Sequence, residues 1–164
     1  MLEIRPAEAA DHGEILQLWH RGWHDAHADL VPSEVLAFRT ENHFAVWLKE
    51  ARDTFYVAIN TKLIGFVSVK DAEVVKLYVG KSARGTGVAH ALLSFAEQLL
   101  FEKGVQVAEL FCVAGNSRAE TFYKREGWNL SLSFEDALWV PEGVSDRFLV
   151  LTHRLQKALM PAAR

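Results

Sequence analysis

The sequence predicts an α/β fold in which a central mixed, twisted sheet of about seven strands is flanked by about four helices. Three observations carry that prediction. A short apolar strand, Val74-Val75-Lys76-Leu77-Tyr78-Val79, runs into the glycine turn Arg84-Gly85-Thr86-Gly87-Val88-Ala89 and then into an amphipathic helix. A second strand, Val105 to Val113, runs into a second helix from Asn116, about one βαβ unit downstream. Ahead of both lies a hairpin pattern, Thr54 to Ile59 and Lys62 to Lys70, across Asn60-Thr61.

In chain order, Leu2 to Arg5 is a short strand. Ala7 to about Trp23 is a helix with Ile15, Leu18, Trp19 and Trp23 on one side. Pro32 starts a second helix whose apolar face is Phe44, Trp47 and Leu48, and Asp53 ends it. After the hairpin, Asp71-Ala72 turns the chain into the Val74 strand. A helix over Gly87 to Lys103, the Val105 strand and a helix over Asn116 to Glu126 follow. Two closing strands, near Leu130 to Val140 and Asp146 to Arg154, flank a Pro141-Glu142-Gly143 turn. The order is β-α-α-β-β-β-α-β-α-β-β. One domain over residues 1–155 is expected, with a fraying tail over 156–164.

Composition narrows the class. The 164 residues are 50% apolar and 24% charged, an ordinary globular mixture. A chain of that length buries roughly 70% of its unfolded surface as a single core. No stretch approaches the ~18 uncharged apolar residues of a membrane span, and Met1-Leu2-Glu3-Ile4-Arg5-Pro6 does not read as a signal peptide. The net charge of −3 argues against a nucleic-acid partner. Cys112 is the single cysteine, in an apolar strand, which excludes a disulfide within the chain and favours an inert core role and a reducing cytoplasm. Positive charge is local, with Lys76, Lys81, Arg84, Lys124 and Arg125 expected near the two strand–helix turns.

The glycine turn is where chemistry is expected. Backbone N–H groups at a helix start have no intrahelical partners, and the helix dipole adds positive potential, so the turn suits an anion such as a pyrophosphate. A Cβ at Gly85 or Gly87 would hold phosphate oxygens away from those amides. Arg84 adds a permanent charge with forked donors. Two familiar loops do not fit. A P-loop needs Gly-Lys-Ser/Thr, but Gly87 is followed by Val88-Ala89. The dinucleotide fingerprint needs a third glycine where His90 stands, and an acidic residue after the next strand, where Phe111-Cys112-Val113-Ala114-Gly115 stands.

What fits is R-x-x-G-x-A, Arg84 to Ala89. Here the chain resembles the GCN5-related N-acetyltransferase (GNAT) family, whose R/Q-x-x-G-x-G/A loop binds the pyrophosphate of acetyl-coenzyme A. Asn116-Ser117-Arg118-Ala119-Glu120-Thr121-Phe122-Tyr123-Lys124-Arg125-Glu126-Gly127-Trp128 is similar to the family's N-x-x-A-x-x-F-Y-x-x-x-G-F/W segment. Read as helix alone, Asn116 is an N-cap, Gly127 a stop, and Ala119, Phe122 and Tyr123 form an inward stripe. The resemblance departs from the family at Lys81, a usual proline, and at Ala83, usually bulky.

The resemblance implies a GNAT fold, acetyl-CoA as co-substrate and no metal. It implies that the backbone of Leu77, Tyr78 and Val79 pairs with the pantetheine arm, that Arg84 to Ala89 hold the pyrophosphate, that Asn116 hydrogen-bonds the arm and that Tyr123 assists the departing thiolate. A thiol near pKa ~8.5 against a phenol near ~10 makes full proton transfer uphill by roughly 2 kcal/mol, so Tyr123 is expected to act by a hydrogen bond. An amine base is sought among strand-end carboxylates. Glu73 is expected to share the face of Val75, Leu77 and Val79 by alternation, with Glu109 as second candidate and a solvated carboxylate as the plain reading of both. His20, His24 and His27 share a helix face if the first helix reaches them. The spacing is that of a helical metal pair, but the zincin glutamate is absent. The resemblance implies instead that the junction of the first two helices borders the acceptor, with Trp19, Trp23, His24 and His27 as an aromatic and imidazole wall. The expected function is an N-acetyltransferase acting on a small-molecule, peptide or protein amine, with a homodimer left open. A non-catalytic acyl-CoA-binding sensor is the alternative.

Overall fold

The computed structural model describes residues 1–161. Among them the strands are β1 (Glu3–Pro6), β2 (Thr54–Ile59), β3 (Leu63–Lys70), β4 (Glu73–Val79), β5 (Val107–Val113), β6 (Asn129–Ala137) and β7 (Leu149–Ala158). The α-helices are α1 (His12–His27), α2 (Glu41–Glu50), α3 (Val88–Glu102) and α4 (Ser117–Arg125). The strands form one sheet in the order β1-β2-β3-β4-β5-β7-β6, antiparallel everywhere except between β4 and β5.

Each face of the sheet has its own core. On one, α3 lays Leu92, Leu93, Ala96 and Leu100 against Val67, Val69, Val74, Leu110 and Trp128. On the other, Ile15, Trp19 and Trp23 of α1 and Phe44 of α2 pack on Val57 and Phe66. The Trp128 indole is 1% exposed and donates to Glu97 Oε2 at 3.1 Å. Lys157 Nζ bonds Glu97 Oε1 at 2.7 Å and the Glu126 carbonyl at 2.8 Å, tying α3, the end of α4 and β7 together.

Several boundaries differ from expectation for local reasons. The first helix begins at His12 and runs on to His27, so it does carry all three histidines. The helix expected over Pro32 to Asp53 is two pieces, a 3-10 turn over Ser33–Phe38 and then α2. Thr40 separates them: its backbone is extended and its hydroxyl accepts the His43 N–H, the geometry of a fresh N-cap. β7 continues to Ala158, with Gln156, Lys157 and Ala158 paired to Glu109, Ala108 and Val107, so the chain is sheet where fraying was expected from Gln156. The end of the expected tail, 162–164, lies outside the described residues.

The register of β3 on β4 holds a further correction. Ser68 pairs with Lys76 but Val69 pairs with Val74, so Val75 is an extra residue, a β-bulge. A bulge reverses the alternation beyond it. Val74 therefore joins Leu77 and Val79 in the α3-side core. Glu73, paired with Lys70, stands on the opposite face with Lys76 and Tyr78, not on the face of Val75, Leu77 and Val79 as alternation predicts.

Candidate functional site

β4 and β5 are paired only at Glu73 and Glu109. Beyond that point the parallel strands part, which leaves the edges of Leu77 to Val79 without a neighbouring strand on that side. The chain then turns. The Gly80 N–H bonds the Ile64 carbonyl at 2.8 Å, Lys81–Ala83 make a 3-10 turn, and Ala83 is buried. Small Ala83 thus fills a core position beneath the loop.

Gly85 and Gly87 take φ of 76° and 88°, the left-handed region where a side chain is strained. A Cβ built on either meets nothing within 4 Å, so the space before these amides is open. Gly87 is the N-cap of α3, whose first intrahelical bond is Ala91 N–H to the Gly87 carbonyl at 3.0 Å. The N–H groups of Val88, Ala89 and His90 belong to the first turn and have no intrahelical acceptor. The geometry is that of an anion cradle and fits a pyrophosphate. Thr86 is exposed, its hydroxyl folded back to donate to the Ala83 carbonyl, and Val88 is buried.

One cavity of about 660 Å³ joins the cradle to the gap between β4 and β5. Of the residues singled out from the sequence, Leu77, Tyr78, Val79, Arg84, Gly85, Gly87, Ala89, Asn116, Tyr123 and His27 line it. Asn116 caps α4 by accepting the Ala119 N–H at 3.4 Å, which leaves its amide N–H groups for the cavity. Arg84 Nη2 lies 3.4 Å from Asp25 Oδ2 on α1, both partly exposed. Lys76 is not part of this positive rim. It is buried on the other face, 2.8 Å from Asp53 and over the rings of Trp19 and Phe55.

Burial sets the protonation of the groups in the cavity. The Tyr123 phenol is pushed well above the usual range by burial, with the neighbouring Cys112 and Tyr78 adding to it, so it stays a neutral hydrogen-bond donor. Tyr78 moves the same way for the same reason. The Cys112 thiol, 6% exposed, is pushed up to about 12 by burial and by Glu120. It is a thiol at neutral pH and a poor nucleophile.

The carboxylate candidates lie at the far end of the gap. Glu73 is raised to about 7, first by burial, then by Glu109 and Asp53, against the pull of Lys76 and Lys70. Asp53 is itself occupied, accepting from Ser68 Oγ and from Lys76 Nζ. Glu73 lies four residues before Leu77, about 13 Å along a strand, so it reaches the open edge only through water or substrate.

The expected acceptor wall divides. His27 lines the cavity, lowered to about 4 by burial, with its Nδ1 against the Trp23 carbonyl at 3.2 Å. Trp19, Trp23 and His24 do not line it. Trp23 is 4% exposed in the core, and His24 Nε2 is bound to the Arg39 carbonyl at 2.8 Å. Among the described residues no cluster of three His, Cys, Asp or Glu side chains is placed to hold a metal.

Two features had no counterpart in the sequence reading. Gly22 brings α1 against the cavity floor: a Cβ there would stand 2.5 Å from Tyr78 Cδ1. A glycine inside a helical pattern is the signal that marks such a close approach. The other is Arg39, a 1%-exposed arginine among tryptophans, for which spacing offers no signal.

A seven-stranded mixed sheet, parted between its only parallel pair, with a glycine anion cradle at the end of the parted strand, defines an acyl-coenzyme A-binding architecture. The acetyltransferase (GNAT) family model matches residues 13–128, and the chain belongs to that family. An uncharacterised N-acetyltransferase of Methanocaldococcus jannaschii is 30% identical over 98 residues, 52% of this chain and 43% of that protein, so the chain matches less than half of that relative's length. A GCN5-related N-acetyltransferase from Rhodopseudomonas palustris has the same fold, with TM-score 0.73, 19% identity and coverage of 96% of this chain and 95% of that one. The PaiA N-acetyltransferase of Thermoplasma acidophilum, solved in complex with coenzyme A, superposes with TM-score 0.67 at 17% identity over 96% and 99% of the two chains.

Proposed function

We propose that the protein transfers the acetyl group of acetyl-CoA directly to an amine. The observation that carries this is one continuous cavity lined by the Gly85–Gly87 cradle, by Leu77 to Val79 of β4 and by Tyr123. The cradle amides and Arg84 hold the pyrophosphate. The free edge of Leu77 to Val79 takes the pantetheine arm as a strand would, and Asn116 steadies it from α4. That places the thioester between β4 and Tyr123.

The residues divide the proton work. An amine near pKa ~10.4 costs about 5 kcal/mol to deprotonate at pH 7, and Glu73, raised to about 7, is poised to take that proton through water. Tyr123 keeps its own proton and donates a hydrogen bond to the sulfur as negative charge develops there. Cys112, held as a thiol, offers no covalent route, which favours direct attack over an acyl-enzyme. The acceptor is a small-molecule, peptide or protein amine. Residence in the cytoplasm belongs to the same proposal, supported by an unpaired cysteine. No helix among the described residues is long and apolar enough to cross a membrane.

A free-thiol assay over a panel of amines separates this from a non-catalytic acyl-CoA sensor. Turnover with at least one amine is expected, with Tyr123→Phe lowering kcat by roughly 10- to 10³-fold at unchanged acetyl-CoA affinity. Binding of acetyl-CoA without thiol release from any amine favours the sensor.

A further inference from the structure

Among the described residues Arg39 is the most deeply buried charge, at 1% exposure, and no ion pair among them includes it. It follows the Ser33–Phe38 turn, where its guanidinium carbon lies 4.8 Å from the Trp23 ring, 5.0 Å from Trp47 and 5.7 Å from Trp139. Nη1 donates to the Phe38 carbonyl at 2.9 Å, while Nε and Nη2 are buried with no hydrogen-bond partner. The tryptophan faces attract the cation, but they offer its N–H groups no oxygen acceptor. The two orphaned nitrogens are adjacent on one edge of the guanidinium, and that edge matches the two oxygens of a carboxylate. A buried guanidinium with its bidentate edge vacant is costly to keep unless a ligand completes it.

Its place in the fold says which ligand. Arg39 lies over the Trp23 ring, and that ring packs against His27, which lines the acetyl-CoA cavity, with centroids 5.4 Å apart. Arg39 therefore sits behind the cavity on the α1 and α2 side of β4, the face that also presents Glu73. The Arg39 main chain is held in place, since His24 Nε2 is 2.8 Å from the Arg39 backbone carbonyl. Of the three rings around the guanidinium, Trp23 and Trp47 belong to helices, whereas Trp139 lies in the irregular stretch between β6 and β7. Trp139 is half-buried, stacked on Trp47 at 4.9 Å and held by one 3.3 Å bond to Glu50.

We infer that the Nε/Nη2 edge of Arg39 anchors the carboxylate of the acceptor, so that the amine presented to acetyl-CoA belongs to an amino acid. This rests on the acetyl-transfer reading and narrows its substrate class. Trp139 lifts to admit the carboxylate and then restacks over it.

The test pairs α-amino acids with their own α-carboxamides, which exchange the anion for a neutral amide and also lower the amine's pKa, so rates are compared per free-base amine. In the free-thiol assay, wild-type protein should favour the acid by at least tenfold in kcat/KM for the best pair. Arg39→Met, which keeps an apolar stem among the tryptophans, should bring that ratio close to one through KM, with acetyl-CoA affinity unchanged; Arg39→Lys should keep part of the preference. Intrinsic tryptophan fluorescence reads the anchor without turnover. Titration with the acid should give a saturable change that the amide does not, and that Arg39→Met loses. That fluorescence response without any thiol release would uphold the anchor and overturn acetyl transfer. Turnover that is equal for acid and amide in the wild-type protein would overturn the anchor and leave acetyl transfer standing, with no dependence on whether a variant folds.

Discussion

Glu73 shows how one residue's surroundings move an ordinary carboxylate into the neutral range. Burial and two neighbouring carboxylates, Glu109 and Asp53, raise it to about 7, so it takes up a proton on folding near pH 6 where the unfolded chain would not. The sign follows. Its protonated form is the one the fold favours, so stability is full below the unfolded value of ~4.5 and is lost as pH rises through about 7. Glu73→Gln is therefore expected to raise Tm relative to wild type by a margin that grows from pH 5 to pH 8 and then levels. The same variant should lower kcat/KM and remove the limb of the pH–rate profile that rises near 7. Thermal denaturation and kinetics across that range check both, and a Tm difference independent of pH would mean that Glu73 is solvated. The side chain's type was legible from its place at the head of a strand, but its orientation was not. Strict alternation put it with Leu77, and only the Val75 bulge, a matter of β3–β4 register, turns it to the other face. Arg39 was illegible for a different reason: an arginine among tryptophans distant in sequence carries no local pattern. Tyr123, in contrast, was readable because its helix stripe and its motif coincide.

The strand–turn–helix element is the part that local sequence specifies most fully. Gly85 and Gly87 adopt the left-handed backbone that glycine tolerates at no steric cost, and both face open space where an anion would lie. Gly87→Val asks a β-branched residue to hold φ near 88° and sets its methyl groups before the α3 amides. Acetyl-CoA affinity is expected to fall at least 100-fold, with the far-UV circular dichroism of the wild type and a Tm lower by a few degrees. Unchanged affinity by calorimetry in a folded variant would remove the cradle from the site. The elements before the loop were less legible because long-range packing decides them. The apolar positions Phe44, Trp47 and Leu48 all lie beyond Thr40, and the chain breaks at Thr40 where Arg39 and Phe38 turn inward. Thr40 with an acceptor for its own N–H at His43 was the available local sign. The three histidines shared a face as expected, but the helix rotates only His27 toward the cavity and leaves His24 to fasten Arg39.

At the scale of the whole molecule, the sheet is two sets of strands joined edge to edge at a weak seam. β1 to β4 pair continuously, as do β5, β7 and β6, but across the seam only Glu73 and Glu109 pair. The halves are otherwise held by the α3-side core and by the Lys157–Glu97–Trp128 tie. A ligand arm lying between the open edges of β4 and β5 would supply the missing strand, so cofactor binding should stabilise both halves and not the loop alone. At ~100 times its Kd, coenzyme A is expected to add about 2.7 kcal/mol, or roughly 5–10 °C in Tm for a chain of this size. Amide hydrogen exchange locates the gain. Coenzyme A should slow exchange at Leu77 to Val79 on β4 and at Leu110 to Val113 on β5, across the seam. Adenosine 3′-phosphate 5′-diphosphate, which has the pyrophosphate but no arm, should protect only the Arg84–His90 region at matched saturation. Equal protection of β5 by the two ligands would show that the loop alone transmits stability, and exchange on β5 unaffected by coenzyme A would place the arm outside the seam.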